Sequence, residues 1–513
     1  MSSQYGKVIS FILLERFGEI VEKVGSCLFH YGSSPLLYIK KYTNLPLSQV
    51  KEALCILIKY NLVTFVPNKN ENIANYSLKC ENIFLMLRYP KYIILIKKKF
   101  EDEGEVILEE VLLSGFSSAS EIIFKSFNRL KEMENKTISE VQLRDVFMAL
   151  VTAQYLMRIY IPEGNKAVPQ LEISEKDKFI FPSIEAIEVK NLIEKNIPLK
   201  QESYWTINFD RFHQDLRDKL IISAITKKID ENAGELMKTF LEQMYIRTTA
   251  WADTSNPIPI QEVKNVIKKK NSLHVLSAFL DQYINVMEQD YCKMIRKFGE
   301  AGGGSYQIYL KDIIIHLVWE TIEQIVLEKF DSKAARIFRL IRLKSYIEPE
   351  QIQQLAMIPA KEAKRLCYQL LEENFIKVQE LRKSSSNSGP TKSFIFFNIQ
   401  IAQVVRMVLE LCYKSLYNVM TRRLSEKNVN KRIIDKKQRV DTIMLGMKVQ
   451  GATEEQLADI EEMITPPEKE LLGKIGKTMK KLNLVELELD DTVFLLELFL
   501  RYTYNQILNF INM

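Results

Sequence analysis

Histidine is scarce in this chain: His30, His213, His274 and His316 are the whole complement in 513 residues, and none has a cysteine or second histidine at ligand spacing. That dispersion offers neither a structural zinc pattern nor a histidine-centred triad. The six cysteines, Cys27, Cys55, Cys80, Cys292, Cys367 and Cys412, form no CxxC pair, which predicts buried thiols of a reducing compartment rather than a disulfide frame. Cys55 and Cys367 fall in or beside apolar helical stripes, so burial is expected for both. No apolar run approaches the 18 or so residues of a membrane span. The opening "MSSQYGKVISFILLERFGEI" is interrupted by Glu15, Arg16 and Glu19 and reads as an amphipathic helix, not a leader. The run Gly302, Gly303, Gly304 lies between strand-like segments and lacks the lysine of a phosphate loop, so a hairpin tip is expected. With no nucleotide motif and no carboxylate cluster, the chain is expected to have no catalytic site, cofactor or metal.

What the chain does contain is a repeat. Residues "NLPLSQVKEALCILIKYNLVTFVPN" align without a gap on "AMIPAKEAKRLCYQLLEENFIKVQEL", so that Ile39 meets Ile352, Pro46 meets Pro359, Lys51 meets Lys364, Leu57 meets Leu370 and Asn61 meets Asn374. Apolar character is kept at Tyr42/Leu355, Leu45/Ile358, Val50/Ala363, Leu62/Phe375, Val63/Ile376 and Phe65/Val378. In both copies the period changes from three and four residues to two at the asparagine, which marks a helix running into a strand.

Each copy continues as a strand, a polar turn and a second strand: "LVTFV" to "YSLKC" in the first, "FIKVQEL" to "SFIFFNI" in the second. Three helices and a two-stranded hairpin outline a winged helix-turn-helix. A further copy is expected where Leu143, Phe147, Leu150 and Val151 match the core positions, with strands "YLMRIYI" and "SYWTINF" separated by an insertion, 162–201, expected to fold separately or stay mobile. Another runs from Asp210 to Phe330. The expected modules are 1–85, 86–208, 209–330 and 331–401, with 402–513 an all-helical, coiled-coil-like tail. In that tail the helix resumes after "ITPPEKE" as Glu468–Lys481 and Asp491–Ile511, Pro466 and Pro467 marking a hairpin. Such a tail is expected to expose many side chains far from the winged helices, or to pack on the fourth module.

The stretches "FGEIVEK" (Phe17–Lys23), "MLRYPKY" (Met86–Tyr92), "ARIFRLI", "AMIPAKEAK", "NKR" with "QRV", and "EEMITPPE" follow one another along the whole chain. In them the chain resembles the large winged-helix subunit of eukaryotic RNA polymerase III, departing mainly between Met244 and Leu273. It also resembles the α subunit of the general factor TFIIE in being built on extended winged helices. The resemblance implies a mainly α fold with small β wings, four tandem extended winged-helix domains followed by a C-terminal helical coiled coil. It further implies a nuclear, non-catalytic polymerase subunit acting in promoter opening and initiation. The implied partners are a small acidic subunit and a second winged-helix subunit, forming a heterotrimer docked on the clamp of the largest subunit, with melted or single-stranded promoter DNA nearby and no membrane.

A net charge of +6, from 71 basic and 65 acidic residues, is too small to announce a nucleic-acid protein, so local clusters carry the expectation. Lys361, Lys364 and Arg365 share one helix surface by their spacing, and Arg382 and Lys383 sit at a Ser/Gly-rich wing tip able to reach phosphate without base reading. Glu372 and Glu373 at the same helix's end, and the Lys51/Glu52/Lys59 mixture in the first module, weigh against sequence-specific recognition. Arg422, Arg423, Lys431 and Arg432, in the dense basic stretch of the tail, are expected to bind an acidic partner. The competing expectations are a free-standing winged-helix regulator that dimerises through its coiled coil, and a scaffold whose winged helices bind only protein. A regulator should carry a strongly basic recognition helix, which this chain lacks.

Overall fold

The computed structural model describes residues 3–68, 73–133, 140–159, 168, 177–181, 184, 186–195, 203–269, 274–300, 303–382, 393–449, 460 and 463–511. The chain forms two compact units, Met1–His213 with Tyr413–Asp490, and Gln214–Cys412 with Asp491–Met513.

In the first unit, α1 (Ser3–Phe17), α2 (Glu19–Tyr31), β1 (Ser34–Pro35), α3 (Leu36–Thr43), α4 (Leu47–Lys59), β2 (Val63–Pro67), β3 (Ala74–Leu78) and α5 (Cys80–Leu85) make one module. A second follows with α6 (Tyr89–Ser114), β4 (Ser117–Ser118), α7 (Ala119–Met133), α8 (Glu140–Thr152), β5 (Leu156–Ile159), α9 (Ala186–Lys195) and β6 (Tyr204–Ile207). The second unit draws on α10 (Phe209–Lys228), α11 (Glu231–Arg247), β7 (Ile258–Pro259), α12 (Ile260–Lys269), α13 (His274–Gln289), β8 (Ile295–Gly299), β9 (Ser305–Ile308) and α14 (Leu310–Lys329). It continues with α15 (Ser332–Lys344), α16 (Pro349–Ala356), α17 (Ala360–Glu372), β10 (Lys377–Arg382) and β11 (Ser393–Asn398). Helices α18 (Ile401–Val429), α19 (Lys431–Val449) and α20 (Pro466–Ile511) complete the chain. The fold is therefore mainly α with small β wings: four tandem extended winged helices and a C-terminal helical coiled coil.

Three wings are three-stranded, ordered β1-β3-β2, β4-β6-β5 and β7-β9-β8, where the sequence suggested hairpins. The added strands are two residues each, too short to show a period of two. In the fourth module the same place holds a single bridge, Ile347 to Phe397, beside the β10–β11 pair.

The helix-to-wing junction shows why the modules repeat. Asn61, Gln154, Lys293 and Asn374 all take positive φ, at 55°, 65°, 43° and 62°, and each donates its backbone N–H three residues back, to Ile58, Val151, Asp290 and Leu371. A left-handed residue turns the chain off the helix axis and caps its last carbonyls. The next residue then points into the core: Leu62, Tyr155 and Phe375 donate to the carbonyls of Leu57, Leu150 and Leu370, all three of which are fully buried. Asparagine tolerates this conformation better than glutamine or lysine, so the signal is visible in the first and fourth copies and hidden in the other two.

Part of the 162–201 insertion packs on the second module; the rest of it lies outside the described residues. Among its described residues, Phe181 lies 5.8 Å from Phe147 and 6.4 Å from Trp205, and Val189 and Leu192 of α9 are buried. The stretch between Met244 and Leu273 where the resemblance departs holds β7 and α12, whose Ile260, Val263 and Ile267 are buried at three- and four-residue spacing, and 270–273 lie outside the described residues. Gly303 and Gly304 have positive φ between β8 and β9, as a hairpin tip requires, and Gly302 lies outside the described residues. The two segments expected after Pro467 are one 46-residue helix, since nothing between Lys481 and Asp491 breaks it. Cys55 is exposed, not buried, because the inward stripe of α4 is Val50, Ala53, Leu54 and Leu57. Gly115, with φ of 79°, lies where a Cβ would come within 2.6 Å of the Lys59 carbonyl oxygen, letting the Tyr60 hydroxyl donate to the Leu113 carbonyl at 2.5 Å.

The tail is not remote from the winged helices. Tyr413 of α18 packs on Tyr5 and Phe84 at 4.9 and 5.7 Å, and Tyr417 meets Phe11 edge-on. These contacts belong to the first module, not the fourth.

Candidate nucleic-acid and partner interface

Helix α17 turns Ala363, Leu366, Cys367 and Leu370 inward. The complementary face presents Lys361, Lys364 and Arg365, all exposed. Neither Lys361 nor Arg365 is ion-paired with another described residue, whereas Lys364 lies 6.0 Å from the centre of the Tyr368 ring. Two carboxylates of this helix are paired from outside it: Glu373, one of the two at its end, accepts from Lys329 at 2.7 Å, and Glu362 from Lys333 at 2.6 Å. The outcome is three cations on one helix surface, none ion-paired among the described residues. In the first module the corresponding Lys51 shares its surface with exposed Glu52.

Arg382 is the last residue of β10, opposite Ser393, and Lys383 lies outside the described residues. Next to Arg382 in the wing, Leu381 and Phe394 face each other across the strands and are both exposed. The fourth wing thus carries apolar side chains as well as charge.

The basic stretch of the tail divides into two groups. Arg422 is exposed and bound to Glu426 one turn on, at 2.5 Å; Lys431 and Arg432 are exposed at the start of α19. Arg423 differs: it is mostly buried, with Glu486 of α20 on one side and Glu15 of α1 on the other, the latter at 2.9 Å. Burial pushes the Glu486 carboxyl up, against the pull of the Arg423 guanidinium. Arg423 therefore clamps the tail to the first module and is not free for a partner. Spacing alone could not separate it from Arg422.

The hairpin start is legible in "TPPE". Pro466 opens α20, where a missing N–H costs nothing, and Glu468 reaches back to accept the Thr465 backbone N–H at 3.0 Å, as in a capping box. Lys436 of α19 donates to the same carboxylate at 2.7 Å. These bonds, the lysine's first, hold Glu468 down at about 2. A depressed folded-state value means that the carboxylate's contribution is present above its ordinary pKa and is lost as pH falls through about 2. Carbon-detected NMR of Glu468 should accordingly show a midpoint near 2, with the start of α20 protected from exchange at pH 4; a midpoint near its ordinary 4.5 would mean that the cap does not form.

Two buried polar clusters escaped the sequence reading. In the first unit, Arg88 and Asp490 are each 1% exposed and paired at 2.7 Å, and Lys91 donates to Asp490 at 2.7 Å and to the Leu487 carbonyl at 2.9 Å. Both cations come from "MLRYPKY". In the second, fully buried Arg217 donates to the Ala250 carbonyl, the Tyr502 and Tyr245 hydroxyls and Asp218, at 2.6 to 3.1 Å. Burial works against its charge, but the Asp218 carboxylate and the two tyrosines raise its pKa overall. A charge 402 residues from its partner in sequence leaves no local pattern.

Family models match in four places: "RNA polymerase III subunit RPC82 helix-turn-helix domain" over residues 7–68, "RNA polymerase III subunit RPC82" over 162–317, "POLR3C, C-terminal winged-helix domain" over 322–399, and "DNA-directed RNA polymerase III subunit RPC3, helical hairpin domain" over 432–495. The chain is 36% identical over 528 residues to the DNA-directed RNA polymerase III subunit RPC3 of Bos taurus, and 35% over 528 to that of Homo sapiens, with 97% of this chain and 98% of the relative covered in both cases. It is 31% identical over 538 residues to that of Danio rerio, covering 98% and 99%.

Proposed function

Because the chain belongs to the RNA polymerase III subunit RPC3 family, we propose that it is a non-catalytic, nuclear subunit of that polymerase, acting in promoter opening and initiation. It does so within a heterotrimer containing a small acidic subunit and a second winged-helix subunit, docked on the clamp of the largest subunit. The observation that carries this reading is 36% identity, over an alignment covering 97% of the chain, to a protein named as a polymerase subunit. The free-standing regulator fares worse, since a regulator needs a basic reading helix and α4 presents a mixed surface.

Helix α17 supplies the DNA contact. Three cations on an exposed surface, on a helix that ends in Glu372 and Glu373, suit phosphate binding without sequence preference. Arg382 and Lys383 extend that contact along the wing. The acidic partner is met by Arg422, Lys431 and Arg432, with Arg423 left to its internal clamp.

The triple variant Lys361→Glu, Lys364→Glu, Arg365→Glu tests this, because the residues are exposed and their replacement leaves the core intact. In reconstituted polymerase, open-complex yield should fall several-fold at moderate salt. Duplex affinity of the full chain should lose about 3 from its log–log salt slope, near 0.9 per phosphate contact. Unchanged slope and unchanged opening would remove α17 from the DNA path.

A further inference from the structure

We propose that the outward face of α3 in the first module is a stacking platform for single-stranded DNA. This deepens the reading of the chain as a subunit acting on melted promoter DNA, and it lies in a module to which no DNA contact has been given above.

The eight residues of α3 bury one side chain fully, Ile39. Leu37, Tyr38, Lys40, Lys41 and Tyr42 are consequently exposed together. Tyr38 and Tyr42 stand one turn apart, and Tyr31 at the end of α2 lies against Tyr42 with ring centres 4.1 Å apart and planes 15° from parallel. The three tyrosines are 58%, 56% and 46% exposed in chain order, so their ring surface is held in water instead of filling the core.

Charge on this part of the chain has one sign. From Lys23 to Lys51 there is no aspartate or glutamate, in a protein with 65 of them. The flanking carboxylates are Glu22, which accepts from the Ser10 and Ser26 hydroxyls at 2.6 and 2.7 Å, and Glu52 on α4. Lys40 and Lys41 therefore share α3 with Tyr38 and Tyr42 and have no carboxylate in their own segment.

Parallel rings beside unpaired lysines match what an unstacked strand offers: planar bases to continue a stack and phosphates to meet ammonium groups. A protein segment is the other candidate, since tyrosine also anchors interfaces. It would need aliphatic surface to bury, and on this face only Leu37 provides it. Duplex DNA is disfavoured because its bases are already stacked on each other.

The test uses the full-length chain and a labelled oligo(dT) of about 16 nucleotides, long enough for one site. Tyr31→Ala with Tyr42→Ala should weaken oligo(dT) binding about tenfold or more, while the Tyr→Phe pair, which keeps both rings, retains it. Lys40→Gln with Lys41→Gln should lower the single-strand salt slope by about 1.4, near 0.7 per contact. Duplex binding, which reports on α17, should not change in either variant, so failure here and failure of the α17 contact are read separately. The platform is overturned if oligo(dT) binding survives both variants, if the wild-type chain does not bind oligo(dT), or if the alanine variant binds oligo(dT) normally but drops another subunit from the purified polymerase. A thermal melt matching wild type establishes that the exposed substitutions leave the module folded.

Discussion

Replacing Asp490 by alanine should destabilise the first unit by about 3–5 kcal/mol, the range for removing one partner of a buried ion pair. The carboxylate is the shared acceptor for Arg88 and Lys91, and without it a guanidinium that is 1% exposed has lost its counter-charge. The cation over the Phe84 ring, 5.4 Å away, offers only weak compensation. Hydrogen exchange should show 84–92 and 466–490 opening together, because α20 and the turn before α6 are held by the same contact. Removing the two most buried charges as Arg88→Met with Asp490→Leu should cost less, since the penalty lies mainly in a charge buried without its counter-charge, and Lys91, at 14% exposure, keeps the Leu487 carbonyl. Were Asp490→Ala to leave protection in both segments within about 0.5 kcal/mol of wild type, the pair would not be a structural anchor.

Arg217→Met should cost the second unit a similar amount, about 3–5 kcal/mol. One substitution removes donors to Ala250, Tyr502, Tyr245 and Asp218. It also leaves Asp218 buried, with the Tyr245 hydroxyl at 2.5 Å as its remaining polar neighbour in this cluster. Burial already pushes the Asp218 carboxyl up, against Arg217's pull, and losing the guanidinium pushes it further. A raised folded-state pKa favours the protonated carboxyl, so stability is greatest below the ordinary value and is lost as pH rises through the raised one. The deficit of the variant should therefore be smallest in mild acid and grow toward neutral pH. Denaturant melts followed at Trp251, whose ring centre lies 5.3 Å from the Arg217 guanidinium and 3.6 Å from that of Arg501, would read this out with Trp205 and Trp319 replaced by Phe in both chains compared. A deficit that is flat with pH would mean that Asp218 does not titrate as described.

How much of this was legible in the sequence follows from what is local. The Leu57/Leu370 and Asn61/Asn374 correspondences fall on helix stripes and a left-handed cap, features set within about five residues, and in the fold both leucines are fully buried and both asparagines have positive φ. The same cap at Gln154 and Lys293 was hidden because those side chains do not advertise it. "TPPE" gave the start of α20 because capping is local chemistry, but its end did not follow, since nothing marks where the helix changes neighbours. Charge was the hardest to read. Arg422 and Arg423 are adjacent in sequence; one is exposed and the other clamps Glu15 and Glu486, a difference created by residues more than 60 positions away. The tyrosine face of α3 is hidden for the opposite reason: Tyr42 keeps apolar character in register with Leu355 of the repeat, a pattern that also suits a core position, yet it is 46% exposed.

The most direct measurement is affinity purification of the tagged, full-length chain from its own cells, followed by size fractionation and a transcription assay on the depleted polymerase. As a subunit, the chain should elute with a very large multisubunit RNA polymerase III. The polymerase stripped of it should still extend a primed template but lose promoter-dependent initiation, which returns when the chain is added back. Elution as a discrete small dimer, with promoter-dependent initiation intact in its absence, would contradict the assignment of this chain to the initiating polymerase.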